Sequence, residues 1–495
     1  VRINFTFPNG VNMAISPLAR LKAAKLPLIA VTGTVSCCLV LWQARLPDPH
    51  IDDLFFIGAA INLTESGELK NPLEPSWSSA MKDGLYHFHP PYYSYILAGW
   101  IKIFGISTAS LVAYQNFWYL ILVLSLIGLC RRLNIPITAA IVSGVFATWI
   151  LLQRGLRNDA TAMAQLSVGL YFITFDRVVA YFCGFFVLGT ASLTYPIAAA
   201  YAMPMALALL IRNAVIQPWR DWRYWVPRFT ALVVAVAAHY ALITNIIQSP
   251  LQSFVDNFLR HASWRRLPFL QGGAYSFYLQ ITGGYGWFLH VPTLLLAITA
   301  TIVTFAGSQR TTDRLRSQIG ALAAGIILNI LLYTNAYEHV LLFSLVLAIL
   351  AAFQWPEVRV RRIFIGVVLL TAVSSQYLNI LRATLPDSRT AIAYEIVRAD
   401  LDATNDGVLA IDAYAARYLY DYVLPDNAID YWFQLTPPDG PPLTPLDKSP
   451  EITWVASEGT IARTLPDCVI CPRVEFIGRT YNTIPLRPRS IVVLR

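Results

Sequence analysis

Long apolar runs separated by short polar joints dominate this chain from Leu26 to about Asn379. Runs of that length predict membrane-spanning helices, because a helix satisfies all its backbone groups internally where no water can. They fall at about 26–43, 110–130, 137–152, 160–176, 178–195, 197–211, 229–247, 288–306, 319–333, 340–355 and 363–380, which makes about eleven spans. One further run, Pro91 to Phe104, is too short to cross. Its residues make roughly 21 Å of helix, against a hydrocarbon core of roughly 30 Å. It carries Tyr92, Tyr93, Tyr95, Trp100 and Lys102, the residue types of a membrane interface. A juxtamembrane or half-inserted helix is therefore expected, inside one long outer loop over 44–109. Beyond residue 382 the pattern shortens to alternating pieces such as Val408–Ile411 and Ile452–Val455, which predict strands among short helices. The expected fold class is a polytopic α-helical membrane protein. It comprises an N-terminal segment 1–25, a transmembrane domain 26–381 and a small α/β domain 382–495.

Composition agrees. Of 495 residues, 56% are hydrophobic and only 13% charged, with a mean hydropathy of +0.52; soluble domains carry about 25% charged residues. The net charge of +8 does not point to nucleic acid, because Lys and Arg gather in short joints between apolar runs. Arg20, Lys22 and Lys25 precede the first span, which lacks a small-x-small exit and reads as a signal anchor. By the positive-inside bias the N-terminus is cytoplasmic, and so are the clusters at 131–132, 177, 212–228, 310–316 and 359–362. An odd number of spans then leaves the C-terminal domain extracytoplasmic. A multi-pass protein of the plasma (inner) membrane is expected, with membrane lipids as partners. Cys37, Cys38, Cys130 and Cys183 lie in apolar runs; Cys468 and Cys471 lie in the polar tail, where a disulfide is permitted outside the cytoplasm. No Walker or dinucleotide pattern occurs, which argues against a nucleotide-driven pump.

Four polar clusters fall at the outer ends of spans, and together they predict one outward-facing cavity. Asp52 and Asp53 follow the first span. An ionised carboxylate there suits a general base for an alcohol acceptor, and it equally suits a solvated helix N-terminus. His89 precedes Pro90 and Pro91; it fits a phosphate or metal contact, or a hydrogen-bonding spacer. Arg154, Arg157 and Asp159 place cations on the outer side, against the usual bias, so an anion is expected nearby. An Arg157–Asp159 pair that joins two helices is the other reading. His261 and Arg265, with Arg260 and Arg266, form a second basic cluster fit for a phosphate or for lipid headgroups. Glu338 and His339 open a late span and either line the cavity or cap the helix. Neither His nor Cys spacing supplies a metal site. No cofactor is expected, with a carboxylate-held Mg²⁺ or Mn²⁺ left open.

These residues resemble those of a known family. Ile51-Asp52-Asp53-Leu54-Phe55-Phe56, with Glu65-Ser66-Gly67, is similar to the acidic-pair and aromatic opening of the GT-C glycosyltransferases, in the branch of protein mannosyltransferases and lipid A aminoarabinose transferases. His89-Pro90-Pro91 through Phe104-Gly105 resembles that branch's His-Pro-Pro segment and is the longest match. Arg157-Asn158-Asp159 resembles its Arg-Pro-Asp/Glu motif, with Asn where Pro is common, and Asp53 stands where Glu is usual. Tyr337-Glu338-His339 resembles the start of a late span but lacks its proline. The resemblance covers about residues 20–380 and implies a GT-C fold. It also implies an inverting glycosyltransferase with a polyprenyl-phosphate sugar as donor and a lipid, glycan or protein as acceptor. Asp52 would be the base, and Arg157, His261 or Arg265 would attend the departing phosphate. The alternatives are a lipid-linked saccharide flippase or transporter and a non-catalytic GT-C relative.

Overall fold

A computed structural model describes residues 17–44, 47, 53–69, 91–132, 137–152, 155–175, 177–195, 198, 221–247 and 366, and six strands between 408 and 494. Its helices are α1 (Pro17–Gln43), α2 (Asp53–Ser66), α3 (Tyr92–Phe104), α4 (Thr108–Arg132), α5 (Ile137–Leu152), α6 (Asp159–Ile173), α7 (Val178–Thr194) and α8 (Trp222–Leu242). A π-helical turn, Ile243–Ile247, continues α8. Six of these, α1 and α4 to α8, fall on predicted spans. α1 and α8 start earlier than hydropathy alone marks. In α8 the added first turns are held by Arg228, whose guanidinium lies 3.5 Å from the Tyr224 ring and 5.0 Å from that of Tyr181. Among the described residues, Ala109–Arg132 and Trp222–Asn245 are long and apolar enough to cross a membrane. Apart from Ala198 and Gly366, the spans expected at 197–211 and from 288 to 380 lie outside the described residues.

Helix directions follow from which residues meet. Tyr114 of α4 lies 3.2 Å from Thr161 of α6, and farther along both helices Ser125 donates to Ser167 at 2.8 Å, so α4 and α6 run the same way. α7 runs back along α6, with Leu188 over Gly169 and Gly184 over Ile173. α7 and α8 are parallel, since Arg228 faces Tyr181 near their starts and His239 stacks on Phe186 farther on. One end of the bundle therefore holds Arg132, which donates to the Thr174 carbonyl at 3.0 Å, and the basic starts of α7 and α8. The opposite end holds α2, the first turn of α3, the turn between α5 and α6, and the end of α7.

Glycine allows a close crossing of α6 and α7. A Cβ at Gly184 would strike Ile173 and come 3.0 Å from the Gly169 carbonyl oxygen. Helices in lipid gain association energy from such close approach. Gly184→Val is expected to cost ~1–3 kcal/mol through overpacking, seen as a lower unfolding midpoint in detergent. An unchanged midpoint would mean that α6 and α7 can part without loss.

α3 buries one face, with Tyr93, Leu97 and Ile101 along it, and leaves Ile103 and Phe104 exposed at its tip. That one-sided burial is what a helix lying against the bundle requires. It runs alongside α2, with Phe56 edge-on to Tyr93 (5.7 Å) and Ala59 in the same cluster as Tyr95. In the tail, strands β1 (Val408–Asp412), β2 (Tyr431–Phe433), β3 (Ile452–Ser457), β4 (Arg473–Phe476), β5 (Arg479–Ile484) and β6 (Ile491–Leu494) form one mixed sheet in the order β2-β1-β3-β6-β5-β4. β1 pairs in parallel with β2 and β3, and the remaining pairs are antiparallel.

Candidate active site

The turn Gly155-Leu156-Arg157, between α5 and α6, is the centre of the polar end. Gly155 turns the chain at φ 66°, a conformation costly for a residue with a side chain. A turn so deeply buried must have its backbone groups satisfied by side chains, and three helices supply them. Asp53, the first residue of α2 and fully buried, accepts the Leu156 N–H at 2.9 Å. Tyr93 of α3 donates to the Leu156 carbonyl at 2.6 Å. Gln115, two turns into α4, donates to the carbonyls of Gly155 (3.3 Å) and Arg157 (3.2 Å).

The turn presents Arg157, which is itself nearly buried. Its Nε lies 3.2 Å from Asp159 Oδ2, and its guanidinium stands 5.8 Å from the Phe56 ring. Asp159 opens α6, where the helix dipole favours a negative charge. Next to it, Asn158 donates to the Thr194 carbonyl at 2.8 Å, which fixes α6 to the end of α7. Phe56, from the Asp-Asp-x-aromatic-aromatic run, thus supports both Tyr93 and Arg157.

Burial above all, and then Tyr114, Asp53 and Asp159 nearby, pushes the Tyr93 phenol well above its ordinary range. It therefore keeps its proton and acts as a donor. Tyr93→Phe leaves the Leu156 carbonyl without that bond, at ~1–3 kcal/mol. A lower unfolding midpoint in detergent is the expected result. An unchanged midpoint would show that the turn does not depend on Tyr93.

Of the residues singled out in the sequence, Asp53, Arg157 and Asp159 come together at one end of the bundle, linked through Leu156. Asp52, His89, His261, Arg265, Glu338 and His339 lie outside the described residues. Two members of the constellation were not singled out as site residues: Tyr93, which counted only as an interface aromatic, and Gln115. Gln115 had a usable signal, being, with Asn116, an amide inside a largely apolar span that must find partners when buried.

No family model matches the sequence, and neither does any curated protein. The fold is similar to that in the crystal structure of ArnT from Cupriavidus metallidurans bound to undecaprenyl phosphate, with a TM-score of 0.53 and 14% identity. The likeness covers 94% of this chain and 97% of that one. It establishes a shared overall fold.

Proposed function

We propose that this chain is a GT-C transferase, an inverting glycosyltransferase that moves a sugar from a polyprenyl-phosphate donor to a hydroxyl acceptor at the outer face of the membrane. The observation that carries the reading is the fixed turn joining Asp53 to Arg157, on a fold shared over 94% of the chain with a protein solved with undecaprenyl phosphate. A buried cation 3.2 Å from Asp159, on a turn held by Asp53, suits a membrane-borne phosphate ester.

In this mechanism Asp52 takes the proton of the acceptor hydroxyl as its oxygen attacks the anomeric carbon from the face opposite the lipid phosphate. The bond from that carbon to the phosphate oxygen breaks, and its electrons leave with the polyprenyl phosphate. Arg157 lies ready to stabilise the charge that gathers there, and a cation held in place beforehand does so without reorganising. Asp53 works through Leu156 and is a positioning residue, and Asp159 orients the guanidinium. His89, His261, Arg265, Glu338 and His339 are assigned to substrate binding. The N-terminus is assigned to the cytoplasm and the tail to the outer side of the inner membrane. No metal is assigned to the reaction.

The test is glycoside formation by the purified protein in nanodiscs. A radiolabelled polyprenyl-phosphate sugar would be offered with lipid, glycan and protein acceptors taken from a deletion strain's membranes. The expected product is a glycoside of inverted configuration, with free polyprenyl phosphate, in the presence or absence of EDTA. Movement of the labelled lipid between leaflets with no glycoside formed would identify a transporter instead.

A further inference from the structure

α3 opens on two adjacent tyrosines that reach in different directions. Tyr93 holds the Leu156 carbonyl. Tyr92 reaches across to α8, where its hydroxyl lies 3.0 Å from Nδ1 of His239. His239 is buried and lies flat on the Phe186 ring of α7, with centroids 4.5 Å apart and planes 9° from parallel. Its Nε2 is 2.8 Å from the Phe186 carbonyl oxygen. A carbonyl only accepts, so Nε2 carries a proton; in the neutral ring Nδ1 is then the acceptor and Tyr92 the donor. Burial pushes the Tyr92 phenol up to about 12, which keeps that proton in place. Gly189 makes the room, because any Cβ there would collide with the imidazole. One turn farther on, α8 widens into the π turn Ile243–Ile247, a feature frequent at functional sites.

We propose that Tyr92 and His239 are a positioning pair for the transferase site. They fix the head of α3 against α7 and α8 and, through Tyr93 and Leu156, fix the turn that carries Arg157. Every link in this chain is a buried hydrogen bond or a single backbone step: His239 to Tyr92, Tyr92 to Tyr93, Tyr93 to the Leu156 carbonyl, Leu156 to Arg157. A histidine used only as filler would not need both ring nitrogens engaged on two different helices. The kinetic consequence rests on the proposed transferase reading; the mechanical one does not.

The test uses the full-length protein in nanodiscs with Tyr92→Phe, His239→Gln, His239→Asn and the double variant Tyr92→Phe/His239→Gln. Asparagine sets its amide where Nδ1 lies and keeps the bond to Tyr92, whereas glutamine sets its amide where Nε2 lies and keeps only the bond to Phe186. Tyr92→Phe and His239→Gln are each expected to raise the donor KM about tenfold, the scale of one lost hydrogen bond. kcat should move far less. His239→Asn should stay near wild type, and the double variant should be no worse than either single one, the mark of a shared interaction. Amide hydrogen exchange over residues 92–104 should rise in the same variants. Equal impairment by His239→Asn and His239→Gln, additive effects, or unchanged exchange over α3 would overturn the pair. Raised exchange in a protein that forms no glycoside would keep the pair and remove the transferase reading.

Discussion

Asp52→Asn is expected to lower sugar transfer by about 10²–10⁴-fold, the usual contribution of a general base. Unfolding temperature and affinity for polyprenyl phosphate should stay near wild type. Asparagine matches aspartate in shape and cannot take a proton, so the substitution removes the chemistry and little else. The prediction gains force from the neighbouring residue. Asp53 is fully buried and bound to the Leu156 N–H, so its carboxylate is engaged in holding the turn. Asp53→Asn keeps an oxygen that can accept the same N–H in a weaker, uncharged bond. A loss of about tenfold is expected, near the difference between a charged and a neutral hydrogen bond. Steady-state transfer of the two variants, measured side by side, separates the roles. If Asp53→Asn silences transfer and Asp52→Asn does not, the assignments of base and positioning residue are reversed.

Much of the helical architecture was legible because a membrane leaves few solutions. An apolar run of sufficient length must be a helix, and the predicted span 137–152 coincides with α5 to the residue. The charged joints were equally readable: Arg132 and Arg228 fall at one end of the bundle and Asp53 and Arg157 at the other, as the alternation of spans required. Hydropathy could not read the start of α8, since a helix continues into the interface as long as aromatic and basic side chains find partners there, as Arg228 does on Tyr224. The site was legible only in its charged members. Arg157 and Asp159 stand two residues apart, and both the anion-binding and the helix-joining reading counted on them; the pair they make is present at 3.2 Å. Gln115, Tyr93 and His239 were hidden because each is a polar residue in an apolar run whose partner lies 40 or more positions away. Local pattern carries no information about such partners. A count of buried donors that must be satisfied would have marked them as a group, without saying what each one holds.

Arg157→Met is expected to reduce transfer by about 10²–10³-fold, the scale for removing one preorganised group that stabilises developing charge. It also removes the cation that lies 3.2 Å from Asp159. Breaking a buried pair from one side costs ~3–5 kcal/mol, because the remaining charge stays desolvated. Loss of activity in this single variant therefore has two causes, a missing phosphate contact and a loosened fold. Arg157→Met combined with Asp159→Asn separates them. The double variant removes both charges, so its unfolding midpoint should recover toward wild type while transfer stays low. Arg157→Lys adds a third point: it keeps the charge near Asp159 but loses the planar fork that grips two phosphate oxygens. It should fold almost normally and bind polyprenyl phosphate more weakly than the parent. Recovery of transfer along with stability in the double variant would show that Arg157 serves only to hold α6 in place, and the phosphate would then need another cation.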